Sequence, residues 1–171
     1  LEELYIRATP DTVSLCYPYA FKDGILDKQL KYPLTDTYYY CLSHKCNKLS
    51  SRARKYFSGP CMKLIPMSFI QGRRYDVRFK NGEDSLFMFL ISDKIDKVAF
   101  TSTKAIYYRR FRKDSAVTAH RSTNERIINN VRSIREYVRM YLNGRYSTFF
   151  LLTRLIAEIR GILLAPINSR R

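Results

Sequence analysis

The chain has 171 residues, enough for one domain with a hydrophobic core, and 46% of them are hydrophobic, which excludes general disorder. Its net charge of +16 is unevenly spread: residues 1–100 carry 16 Lys and Arg against 11 acids, and residues 101–171 carry 15 against 4. A basic half of this kind calls for an anionic partner, whether a phosphate-bearing substrate, an anionic lipid surface or nucleic acid. No apolar run of the sequence approaches the roughly 18 to 20 residues of a membrane span, and the opening LEEL has no signal-peptide pattern, so a cytoplasmic location is expected.

In chain order, residues 1–9 read as the end of a helix. From Val13 the alternation of Val13, Leu15, Tyr17, Tyr19 and Phe21 marks one face of a single strand. Lys22-Asp23-Gly24 then signals a turn, with a return strand starting at Ile25. Residues 31–47 are tyrosine-rich, and Tyr38, Tyr39 and Tyr40 fit either sugar stacking or a half-buried strand. Residues 48–57 read as a short basic helix capped by Ser50 or Ser51 and ended by Ser58-Gly59-Pro60. Cys41, His44 and Cys46 suggest zinc, but no paired C-x-x-C brackets them, so reduced cysteines are the expectation for these and for Cys16 and Cys61.

The apolar run SLFMFLIS predicts a buried helix with Glu83 and Asp84 on its first turn, just after Gly82. First-turn acids complement the helix macrodipole. The same position, rigid and at the edge of a core, also suits a general base. Residues 97–101 and 105–111 read as two short strands. Arg110 and Arg112 would share a face, suited to bidentate phosphate contacts or to a solvated edge strand. In the tail, Ser122-x-x-Glu125 is a capping box, and Ile127, Val131, Ile134, Val138 and Tyr141 mark one helical face. Gly144 closes that helix, and a second runs over about residues 147–164 until Pro166 stops it.

Residues 75–84, YDVRFKNGED, resemble the acidic motif of family-2-type nucleotide-sugar glycosyltransferases, inverting enzymes of the GT-A fold. Tyr75, Asp76, Gly82, Glu83 and Asp84 fit that pattern without a gap. Upstream, GPCMKLIPMSFI resembles the family's segment ending in Lys-Leu through Lys63 and Leu64, with Cys61 and Met62 where an aromatic is usual. Downstream, IYYRRFRKDS resembles its closing strand through Tyr107, Tyr108, Arg110, Arg112 and Ser115, with Arg109 and Asp114 departing from the pattern.

The resemblance covers residues 59–115. It implies an α/β fold: a partial GT-A domain, its acceptor-side half, over residues 1–120, followed by a basic amphipathic helical extension over residues 121–171. The first half of the catalytic domain would lie upstream, and this portion alone is expected to be inactive.

The implied activity is transfer of a sugar from a nucleoside diphosphate sugar to a hydroxyl of a saccharide or lipid-linked acceptor, as in polysaccharide or glycolipid synthesis. Asp84 would be the general base, with Glu83, Lys63, Tyr107, Arg110 and Arg112 contacting substrate. A divalent cation, Mg or Mn, would have its acidic ligands upstream, and no metal ligand is assigned here. The basic tail would cover the core, pair two copies as a homodimer, or hold the protein peripherally on an anionic membrane surface. The rival reading is a basic nucleic-acid-binding module, suggested by the net charge and by YYRRFR but lacking a recognised fingerprint.

Overall fold

The computed structural model describes residues 1–79, 81–112 and 122–168 and has a mixed α/β architecture. It comprises two compact units, each built from two stretches of chain. The first takes Leu1–Gly72 and the described residues from Lys94 to Arg112; the second takes Arg73–Asp93 and the two C-terminal helices.

The first unit opens with a short helix, α1 (Glu2–Arg7), whose Glu3 accepts from the backbone N–H and the hydroxyl of Ser102, both at 2.8 Å. Strands β1 (Thr12–Leu15) and β2 (Tyr17–Lys22) follow, separated only by Cys16. The single strand expected over residues 13–21 is therefore two. β1 lies between β4 (Lys63–Leu64, antiparallel) and β5 (Lys97–Phe100, parallel), whereas β2 lies between β3 (Ile25–Gln29, antiparallel) and β6 (Ile106–Phe111, parallel).

The exchange of partners occurs at Cys16, where Cys16 N–H donates to Met62 O and Tyr17 N–H donates to Ala105 O, each at 3.0 Å. Both faces of this run are covered: Ser14, Cys16 and Pro18 are buried along with Val13, Leu15 and Tyr17. Pro18 has no N–H to give. The β2–β3 ladder pairs Phe21 with Gln29 and Lys22 with Ile25, and the Pro18 carbonyl accepts from Thr35 Oγ1 at 2.8 Å. The expected turn is present, with Gly24 at φ +80°, a conformation glycine adopts without a Cβ penalty.

The tyrosine-rich stretch is not a strand. It forms helix α2 (Pro33–Ser43), with Pro33 at the first helical position, where its fixed φ and missing N–H cost nothing. Tyr38 is fully buried, its ring edge-on to Tyr17 and Phe100 at 5.2 and 5.9 Å, and its hydroxyl donates to Thr101 O at 2.7 Å. Tyr40 stacks on His44 at 4.0 Å and carries the Arg52 guanidinium 3.8 Å over its ring. Aromatic strand propensity is a weak prior, and packing overrides it here. Ser50 Oγ accepts from Ala53 N–H at the start of a 3-10 helix (Ala53–Ser58), which Gly59 ends. A one-turn helix, α3 (Met67–Ile70), completes the unit.

The second unit consists of α4 (Glu83–Leu90), α5 (Thr123–Asn143) and α6 (Thr148–Asn168) with their flanking segments. Arg73 forms a two-pronged ion pair with Asp93, at 2.5 and 2.8 Å, and donates to Leu90 O, closing the ends of the α4 segment on each other. The expected capping box on α5 is formed, with Ser122 and Glu125 each accepting from the other's backbone N–H.

The buried face of α5 is not the one expected: Ser133, Glu136 and Tyr137 are buried while Val131 and Val138 are exposed. Tyr137 turns toward α4, and Glu136 is drawn into ion pairs. α6 continues to Asn168 through Pro166, past the stop expected at residue 164. So near a helix end, proline forfeits a single backbone bond. On α6 the charged Arg154 is buried and Glu158 half-buried, whereas Phe149, Leu152, Ile156, Ile159 and Leu163 are exposed. No helix among the described residues is long and apolar enough to cross a membrane.

Tyr38→Phe removes the buried donor of the Thr101 carbonyl. It is expected to cost about 1–3 kcal/mol, the usual penalty for an unsatisfied buried polar group, read as a lower midpoint in urea unfolding. An unchanged midpoint would show that the hydroxyl does not contribute.

Candidate active site

The start of α4 positions the acidic pair. Gly82 is its N-cap at φ +86°, a left-handed conformation that a residue bearing a Cβ adopts only with strain. Glycine has no side chain to cap the first turn, and Glu83 and Asp84 both lie on that turn, where the helix dipole favours carboxylates.

The turn is pinned from α5. Ser85 Oγ donates to Gly82 O at 2.9 Å and lies 2.7 Å from the hydroxyl of Tyr137, whose ring is edge-on to Phe89 at 5.3 Å. Asp84 is exposed on this fixed turn, while Glu83 is half-buried, with one carboxylate oxygen buried and without a hydrogen-bond partner among the described residues. An exposed carboxylate on a rigid turn can accept a proton from a hydroxyl group brought to it.

Upstream of that turn, Tyr75 packs on the same helix and Asp76 pairs with Arg78. Tyr75 stacks flat on Phe87 at 4.2 Å. Asp76 receives Arg78 through Nε at 2.9 Å and Nη2 at 2.5 Å, and accepts the Arg78 backbone N–H at 3.0 Å. Hydrogen bonding from the Arg78 guanidinium holds the Asp76 carboxyl down at about 2, well below the usual carboxylate value.

Arg78 Nη2 also donates to Glu136 Oε1 at 3.0 Å, and Glu136 holds Arg139 through its Nε and Nη2. Glu136 is correspondingly shifted down, first by the hydrogen bond from Arg139. This Asp76–Arg78–Glu136–Arg139 chain walls a cleft of about 400 Å³ floored by Leu86, Phe87 and Leu90. Sequence reasoning did not single out Arg78, Glu136 or Arg139. The available signals were local ones, the Asp-x-Arg spacing at 76–78 and the i, i+3 spacing of 136 and 139 on one helix.

The remaining expected site residues belong to the first unit, whereas Glu83 and Asp84 belong to the second. Lys63 and Tyr107 line one hollow of about 480 Å³. Lys63 is buried, and its ammonium donates to the carbonyls of Gly59 and Cys61 at 2.5 and 2.6 Å and lies 5.5 Å from the centre of the Phe57 ring. These bonds hold the 59–63 turn, which is a structural use of the cation. Tyr107 is half-buried on β6, and a hydrogen bond with Cys61 together with burial raises its hydroxyl above the ordinary value.

Arg110 lies on the opposite face of β6, exposed with Tyr108, in a loose 3.7 Å pair with Asp23. Arg112 is exposed just past the strand end, and Ser115 lies outside the described residues. Burial, first of all, raises the Cys41 thiol to about 12, and His44 Nδ1 sits 2.8 Å from Tyr40 O. No group of three or more His, Cys, Asp or Glu among the described residues could hold a metal ion.

The depressed Asp76 sets a pH dependence. Its carboxyl titrates near 2 when folded and near 3.8 ordinarily, so the unfolded chain takes up the proton first. The resulting stability is complete above about pH 4 and is lost as pH falls towards 2. Asp76→Asn is expected to flatten this part of the acid-denaturation profile, measured as urea midpoints at successive pH values; an unaltered slope would show that the ion pair with Arg78 adds nothing. No protein-family model, no curated protein and no solved structure matches this chain.

Proposed function

We propose that the chain is the acceptor-side half of an inverting nucleotide-sugar glycosyltransferase of the GT-A type, followed by a helical extension. The observation that carries this reading is the start of α4. Gly82, Glu83 and Asp84 begin a buried helix, Asp84 is exposed, and the turn beneath it is tied to α5 through Ser85 and Tyr137. The parallel pairing of β1 with β5 and of β2 with β6 supports it, because such pairs need long crossover connections of the α/β kind.

In this mechanism the acceptor hydroxyl oxygen attacks the anomeric carbon of the donor sugar while an Asp84 carboxylate oxygen takes up its proton. The bond from that carbon to the diphosphate oxygen breaks, the electron pair leaves with the diphosphate, and configuration inverts. Glu83 supports the helix start. The divalent cation, Mg or Mn, that the resemblance implies has no ligand set among the described residues. The contribution argued for this chain is therefore acceptor activation alone.

Asp84→Asn in the full-length protein is expected to lower sugar transfer by about 100- to 10,000-fold, the usual contribution of a general base, with unchanged thermal unfolding and unchanged donor binding. Turnover close to that of the unaltered protein would overturn the assignment and leave Asp84 as a helix-dipole partner.

A further inference from the structure

The cleft beside α4 and α5 has a second side. The wall formed by Arg78, Glu136 and Arg139 also bounds a hollow of about 300 Å³ that adds Phe79, Arg132 and Arg135. Across the two spaces five arginines (74, 78, 132, 135 and 139) face two carboxylates, Asp76 and Glu136. Both carboxylates are spent on Arg78 and Arg139. Among the described residues Arg74 donates to the Arg73 carbonyl alone, and Arg132 lies over the Phe79 ring at 4.9 Å. Neither these two nor Arg135 has an acidic partner among the described residues; Arg74 lines the larger space, whereas Arg132 and Arg135 line the smaller one beside Arg78 and Arg139.

Crowding of like charges is unfavourable unless an anion relieves it. The wall is also preorganised, since Arg78 is gripped by two carboxylates and Arg139 by one. Each guanidinium still has an Nη1 group outside those bonds, among the described residues. A carboxylate would engage one arginine fork and leave the others uncompensated, whereas a phosphoryl group offers several acceptor oxygens and up to two charges to donors arriving from different directions. Beside the cations, the buried Leu86 and Phe87 give the larger space an apolar floor.

We propose that the smaller hollow binds the phosphoryl group of a phosphate ester among Arg78, Arg132, Arg135 and Arg139, with the ester's apolar or aromatic body extending along the shared wall toward the α4 floor. The inference does not draw on Asp84 and stands or falls separately from the transferase reading. The same chemistry is presented by a soluble organic phosphate and by an anionic phospholipid headgroup, and the experiment separates the two.

Binding to the full chain would be measured by calorimetry with phenyl phosphate, with benzoate for comparison, and by sedimentation with phosphatidylglycerol vesicles. The paired variant Arg132→Ala/Arg135→Ala would be set against Arg126→Ala/Arg160→Ala, which removes the same charge from a different hollow of the unit. All four side chains are exposed, so folding should survive in both.

Phenyl phosphate is expected to bind more tightly than benzoate, and the cleft variant to weaken it about tenfold or more, roughly the loss of one charge-assisted hydrogen bond, while the control changes it less than about twofold. Binding of phenyl phosphate without vesicle retention identifies a soluble ester. Vesicle retention lost in the cleft variant and kept in the control identifies a lipid headgroup. Binding of neither probe at millimolar concentration, or equal losses in the two variants, overturns the proposal.

Discussion

The second unit depends on one buried hydroxyl. Tyr137 is fully buried, and a phenol removed from water must find a hydrogen-bond partner or cost free energy. Its partner is Ser85, which in turn donates to Gly82, so satisfying the tyrosine fixes the first turn of α4 relative to α5. Phe89, four residues along α4 from Ser85, meets the same ring edge-on and makes the contact a packed one. The neighbouring α5 residues, Glu136 and Arg139, are thereby brought against the loop carrying Asp76 and Arg78. The acidic pair and the arginine wall thus share one anchor.

The features legible in the sequence are those written in adjacent residues. The glycine turn before β3, the Ser122–Glu125 box and the acidic first turn of α4 each need only a few neighbouring side chains and a backbone preference. The features missed depend on residues distant in sequence. Nothing near Cys16 announces that the chain changes partners there, because Met62 and Ala105 supply the new bonds. The alternation across residues 13–21 was real, but it described a run buried on both faces rather than one continuous strand. Tyr38 joins a helix because its hydroxyl reaches Thr101 and its ring reaches Phe100, contacts that no local propensity contains.

The candidate site was legible to the same extent. The charge excess of the C-terminal part pointed to an anion, yet it did not distinguish the arginines that converge from those that remain apart. Arg78 and Glu136 are 58 positions apart and meet only because α4 folds between them. Lys63 shows the converse limit. Its place in a family-like segment suggested a substrate contact, but its ammonium is committed to two carbonyls of its own turn. A cation in a sequence states a charge and not a vacancy.

The inward turn of Arg154 and Glu158 on α6 has a consequence for the proton balance of the whole unit. Burial, the dominant influence, raises the Glu158 carboxyl above 4.5, and the nearby Arg154 offsets only part of that rise. A carboxyl with a raised folded value holds its proton more firmly in the native state, so its contribution favours acid and declines as pH climbs past 4.5. Asp76, held down by Arg78, leans the other way. Two side chains of one helical unit therefore pull its stability in opposite directions along the pH axis, Glu158 towards acid and Asp76 away from it.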